Sequence, residues 1–206
     1  MKALRISSWV LFVFFAIAVG GYPAMYFVSD MIAENGLLSQ KAANVIAMRF
    51  WQISFNTHII FGGLALLIGW MQFMPKFRNR NLKLHRLVGV LYILAIVLSG
   101  LAGLYLAFYA EGGLVAKLGF GGLALAWLFT TGQAYISVKK RNIEAHKRWM
   151  IRSYALTFAA VTLRIWLPLF QYAIGMDFIT AYVIIAWLCW VPNLAWAEWK
   201  VRRLAS

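Results

Sequence analysis

The sequence predicts an all-α, polytopic membrane bundle of about six transmembrane helices, with both termini on the cytoplasmic side. Three observations predict it. Hydrophobic residues make up 63% of the 206 and charged residues only 13%, whereas a water-soluble domain of this size carries roughly 25% charged residues. The apolar residues gather into six runs of about 20 residues, the length at which a helix crosses the bilayer core with its backbone satisfied internally. The Lys and Arg residues cluster in alternate gaps between those runs. A net charge of +14 on a soluble module would suggest nucleic acid. Short basic clusters between apolar runs are instead a topology signal, so the expected partner is the lipid bilayer and no nucleic acid is expected.

Taken in order, the first run covers approximately 8–28. Lys2 and Arg5 precede it, as in a signal peptide, but no small-x-small cleavage site follows and the run continues past Pro23, so an uncleaved helix is expected. Segment 29–51 is mixed in character and is expected outside, with a short interfacial helix. The second run, 53–74, is followed by Lys76, Arg78, Arg80, Lys83 and Arg86; the third covers 87–110. The fourth, 118–138, precedes Lys139, Lys140, Arg141, Lys147, Arg148 and Arg152. The fifth and sixth cover 150–175 and 178–199, and Lys200, Arg202 and Arg203 follow. Residues 1–206 thus read as a single integral membrane domain. In this arrangement sixteen of the twenty basic residues share one side, while the other has Lys41, Arg49 and Lys117 with Asp30, Glu34, Glu111 and Asp177. The basic side is expected in the cytoplasm.

Ionisable groups at membrane depth are costly and therefore mark candidate sites. His58, His85 and His146 are the three histidines, and Arg164 is the one charge well inside an apolar run. At about 1.5 Å per residue, His58 and Arg164 both lie roughly 10 Å below the outer interface, where they are candidates for one substrate pocket. Helical spacing places His58, Gly62, Ala65, Gly69 and Gln72 on one stripe of the second helix. His85, Gly89, Tyr92, Ser99 and Gly103 share a stripe of the third, and His146, Met150, Ser153, Thr157 and Arg164 one of the fifth. Such polar and small faces belong inside the bundle, because lipid offers polar groups no partner. Cys189 is alone, so an intramolecular disulfide or a thiolate metal cluster is excluded.

Two functional readings compete for the histidines. In the first, His85 and His146 are axial ligands of one b-type haem iron near the cytoplasmic face, with Arg148 and Arg152 meeting the propionates. His58 lies too far outside to join, so the usual four-histidine, two-haem arrangement is excluded. A quinone in the His58–Arg164 pocket, or another membrane redox subunit, would be the partner. In the second, no redox centre exists, and the chain is a transporter for a small molecule or ion, or a lipid-binding protein, using His58 and Arg164. An assembly or scaffold subunit is a further alternative. Five tryptophans, Trp51, Trp149, Trp190, Trp196 and Trp199, fall near the expected interfaces, where aromatic belts form.

The segments beginning at His58-Ile-Ile-Phe-Gly-Gly, His85-Arg-Leu-Val-Gly, His146-Lys-Arg-Trp-Met-Ile-Arg-Ser, Thr162-Leu-Arg-Ile-Trp and Trp187-Leu-Cys-Trp-Val-Pro-Asn resemble the bacterial membrane family called domain of unknown function 2306. The resemblance runs from about Trp51 to the end. It implies a multi-helix protein of the bacterial inner (plasma) membrane and no particular activity. A looser similarity is to the b-type transmembrane cytochromes, which also set histidines on facing helices; the four-histidine pattern is incomplete here.

Overall fold

In a computed structural model of the chain, which describes residues 2–27 and 37–204, six helical segments are long and apolar enough to cross a membrane. They are Ser7–Met25, Arg49–Phe73, Leu82–Ala107, Gly113–Lys139, Ile143–Ala173 and Phe178–Arg203. No strand occurs among the described residues. The expected Asp30 and Glu34, and most of the mixed outer segment before Leu37, lie outside the described residues, as do the side chains of Lys2 and Arg5.

The helices begin earlier than the apolar runs. The second begins at Arg49 instead of 53, the third at Leu82 instead of 87, and the fifth at Ile143 instead of 150. For the third and fifth the reason is capping: a helix extends through a polar first turn when a side chain satisfies its free N–H groups. Asn81 Oδ1 accepts from the Leu84 N–H and Asn142 Oδ1 from the Ala145 N–H, both at 3.0 Å. The His85 and His146 turns are therefore helical. Between the first two spans, a 3-10 turn at Leu37–Gln40 and a short helix at Ala43–Ile46 occupy the part of the mixed segment that is described.

Neighbours in sequence are neighbours in space. The second span packs along the third, the third on the fourth and the fourth on the fifth. The first lies on the second, and the sixth on the fourth and fifth. Buried Leu66, Tyr92, Ile96, Tyr154 and Ile185 form the centre of the core. Leu87, Val90, Leu94 and Leu101 on the third span and Leu118, Leu125 and Phe129 on the fourth are exposed, a burden that lipid relieves and water would not.

The fifth span is not one continuous α-helix. It breaks at Phe158, where Val161 N–H turns back to the Phe158 carbonyl. The Thr157 hydroxyl donates to the Ser153 carbonyl and the Thr162 hydroxyl to that of Ala159; such back-bonding bends helices. Beyond Pro168, which has no N–H to donate, the chain widens into a π-turn at Leu169–Ala173. The sixth span breaks too, at Cys189 and Trp190. There Asn193 Nδ2 donates to the Cys189 carbonyl (3.0 Å), the Ala155 carbonyl (3.2 Å) and Thr162 Oγ1 (3.1 Å). One amide thus ties the two broken helices together at the level of both breaks.

Candidate functional site

The three stripes converge on the bundle axis. On the second and third spans, His58 Nδ1–H donates to the Ser99 carbonyl at 2.9 Å, and the Ser99 hydroxyl donates back to the His58 carbonyl at 2.9 Å. A carbonyl only accepts, so the proton is on Nδ1, and Nε2 keeps its lone pair. The imidazole needs the glycine opposite: a Cβ on Gly103 would come within 2.8 Å of the ring.

A cavity of about 250 Å³ lies beside this contact, in the half of the bundle away from the basic loops, and all six spans contribute to its wall. His58 and Arg164 both line it, so the structure brings the expected pair together. Arg164 donates from Nη1 to the Ala160 carbonyl at 3.0 Å, and its guanidinium lies 4.9 Å from the centre of the Tyr22 ring. Apart from His58, Arg164 and Lys41, the wall is mainly aliphatic and aromatic, and it includes no Asp or Glu among the described residues. An apolar cavity with a few convergent polar groups is the usual form of a small-molecule site.

The floor of the cavity is a hydrogen-bonded cluster at mid-bundle. Tyr92, fully buried on the third span, bonds through its hydroxyl to Ser153 Oγ at 3.0 Å and Thr157 Oγ1 at 2.9 Å on the fifth. From the fourth span, Trp127 Nε1–H donates to Thr157 Oγ1 (2.9 Å) and Thr131 Oγ1 meets Ser153 Oγ (2.7 Å). Beside it, the Tyr154 hydroxyl donates to the Leu66 carbonyl at 3.0 Å. Each polar tip in this cluster has a partner, which is what the low dielectric of the interior demands.

Trp127 and Thr131 escape the histidine-centred sequence reading because the fourth span carries no histidine or internal charge. The one available hint was a tryptophan and two threonines in the middle of an apolar run. Trp51 is a correction. Expected in an interfacial belt, it is 4% exposed, lines the cavity and stacks on Phe55 at 5.2 Å. It is buried because the helix starts before it, at Arg49, and turns it inward. Trp190 is likewise buried, whereas Trp196 and Trp199 are exposed as a belt requires.

The inner histidines stand at the basic end, near the starts of the third and fifth spans. His146 Nδ1–H donates to the Ala134 carbonyl at 2.9 Å. His85 Nδ1 and Gln72 Nε2 are buried with no hydrogen-bonding partner among the described residues. Arg148 turns back to the Glu144 carbonyl at 3.4 Å. Arg152 is engaged by Glu198, with Nη2 at 2.7 Å and Nε at 2.8 Å from Oε2, and lies 4.6 Å over the Trp149 ring. A propionate would have to displace that carboxylate. Among the described residues, no three His, Cys, Asp or Glu side chains group as a metal site.

Comparison with known proteins finds one family model, described as "Predicted membrane protein (DUF2306)", that matches residues 55–201. The matched region starts within the second span and reaches the end of the sixth, so it includes all three histidines and Arg164. No curated protein and no solved structure matches the chain. The likeness to b-type cytochromes accordingly rests on the sequence pattern alone.

Proposed function

The chain belongs to this family of predicted membrane proteins, and we propose that it is a small-molecule-binding protein of the bacterial inner membrane, with its basic end in the cytoplasm. The cavity then faces the outer leaflet, and the bound solute is the cargo or substrate. The observation that carries this reading is that His58 and Arg164 line one mainly apolar cavity to which all six spans contribute. Arg164 brings a permanent positive charge to the cavity wall, which favours an acceptor or anionic group. His58, fixed by Ser99, presents an Nε2 lone pair that accepts a proton or a hydrogen bond. The apolar wall holds the remainder of the solute.

The test is binding of an unbiased metabolite and lipid extract to the purified protein in nanodiscs, read by native mass spectrometry. A retained solute that is lost from Arg164→Gln and from His58→Phe, both still monodisperse, is expected. Identical retention by the wild type and both variants overturns the reading.

A second reading, one b-type haem between His85 and His146, is supported by the His146 Nδ1–H bond to the Ala134 carbonyl. That bond is the usual way a ligating imidazole is oriented. Haem would add one-electron chemistry at the basic end, and Arg148 would remain for a propionate. The purified protein should then show a reducible Soret and α band that His146→Ala removes; absence of the bands after expression with ample haem ends this reading.

A further inference from the structure

A lysine of the cavity wall is held by an ion pair. Lys41 lies between the first and second spans, and its side chain, 5% exposed, forms part of the cavity wall. Its Nζ reaches across the bundle end to the turn between the third and fourth spans. There it donates to the Tyr109 carbonyl and pairs with Glu111 Oε1 at 3.0 Å. Next to that pair, Phe50 meets Tyr105 edge-on at 4.7 Å and the Tyr105 hydroxyl donates to that of Tyr109 at 3.2 Å. Both sides of the fastening lie in connecting segments. Ala42, beside Lys41, is extended, and Glu111 is followed by Gly112 and Gly113 at φ +84° and +72°, values that only glycine adopts without strain.

We propose that the Lys41–Glu111 contact is a latch that sets how fast solutes pass between the outer medium and the His58–Arg164 cavity. The inference rests on the binding reading above and concerns the regulation of that same site. The physical basis is that one side chain serves as both wall and fastener, so releasing Lys41 removes part of the wall. A single ion pair with one backbone bond is a discrete, reversible restraint. Lys41 and Glu111 both lie in connecting segments and not in the spans, and such segments are the low-stability parts from which gates are drawn.

The test uses the full chain in membranes and requires no known ligand. In a Cys189→Ala background, Ala124→Cys places a thiol on the cavity wall. Its rate of reaction with an impermeant, anionic methanethiosulfonate applied from outside is measured. The rate is expected to be slow with the latch intact and to rise roughly tenfold, the equivalent of about 1.4 kcal/mol, with Glu111→Gln or Lys41→Gln. It should fall back when Lys41→Glu and Glu111→Lys are combined, a rescue that mere damage to the fold would not give. Val115→Cys, at the exposed outer end of the fourth span, should react quickly in every background. Equal rates at Ala124→Cys with and without the pair overturn the latch and leave the cavity reading intact. No reaction there in any background, with Val115→Cys reactive, overturns both. An unreactive Val115→Cys overturns the outward orientation on which the latch depends.

Discussion

His58 keeps its orientation because Gly103, across the helix interface, has no side chain: the space a methyl would fill belongs to the imidazole. Gly69 plays the same part for the rings of Tyr92 and Tyr154, which would lie 2.4–2.7 Å from a Cβ placed there. Gly132 has nothing within 4 Å of that position. Gly103→Ala should therefore lose about 1–3 kcal/mol through overpacking, whereas Gly132→Ala should be neutral or gain up to about 1 kcal/mol from helix propensity. Thermal unfolding of the two variants in one detergent measures the contrast; similar melting temperatures would show that the His58 interface is loose. The sequence made the glycines visible as stripes, yet all the glycines on a stripe look alike there. Which one faces a ring depends on the register between helices, and no local pattern encodes that register.

At the scale of single elements, caps and breaks matter more than propensity. Asn81, Asn142 and Asp177 each accept from the N–H three residues on, and these bonds carry the helices through turns too polar for an apolar run to reveal. Asp177 adds a pH dependence. Hydrogen bonds from Thr180 hold its carboxyl below the usual carboxylate range. Its stabilising effect is complete above the unfolded carboxylate pKa, about 3.9, and is lost as pH falls through the lower folded value. Asp177→Asn retains a capping acceptor and should flatten this part of the acid-side stability profile while leaving neutral-pH stability nearly unchanged. Denaturation midpoints between pH 2 and 6 give the comparison, and an unaltered slope would show that the cap does not titrate with folding. The breaks at Phe158 and at Cys189–Trp190 face one another through Asn193. Asn193 lies on none of the three stripes, so the helical period does not single it out.

For the molecule as a whole, orientation follows from charge and access to the cavity follows from orientation. Sixteen of twenty basic residues at one end predict that end in the cytoplasm. A reporter that matures only outside the cytoplasm should be inactive when fused after Leu204 and active when inserted at Gly113. The reverse pattern would place the cavity on the cytoplasmic side. The polar groups of the three stripes form a column along the axis, from Lys41, Arg164 and His58 through the Tyr92 cluster to His146 and His85. Its outer part encloses a cavity with no acidic wall residue among those described, and its inner part holds two buried nitrogens without partners.

The sequence by itself determined the all-helical class, the number of spans, the grouping of basic loops and the three interior stripes. These follow from hydrophobic length, charge and helical period, which are properties of consecutive residues. The meeting of His58 and Arg164 was foreseeable as a shared depth below the surface. Their enclosure in one cavity was settled by helix packing, because depth says nothing about which helices adjoin. Tertiary structure alone brought Trp51, Trp127 and Lys41 to that cavity and committed Arg152 to Glu198. A side chain's partner across the bundle depends on rotation and register between elements, and those are set by how the whole surface packs.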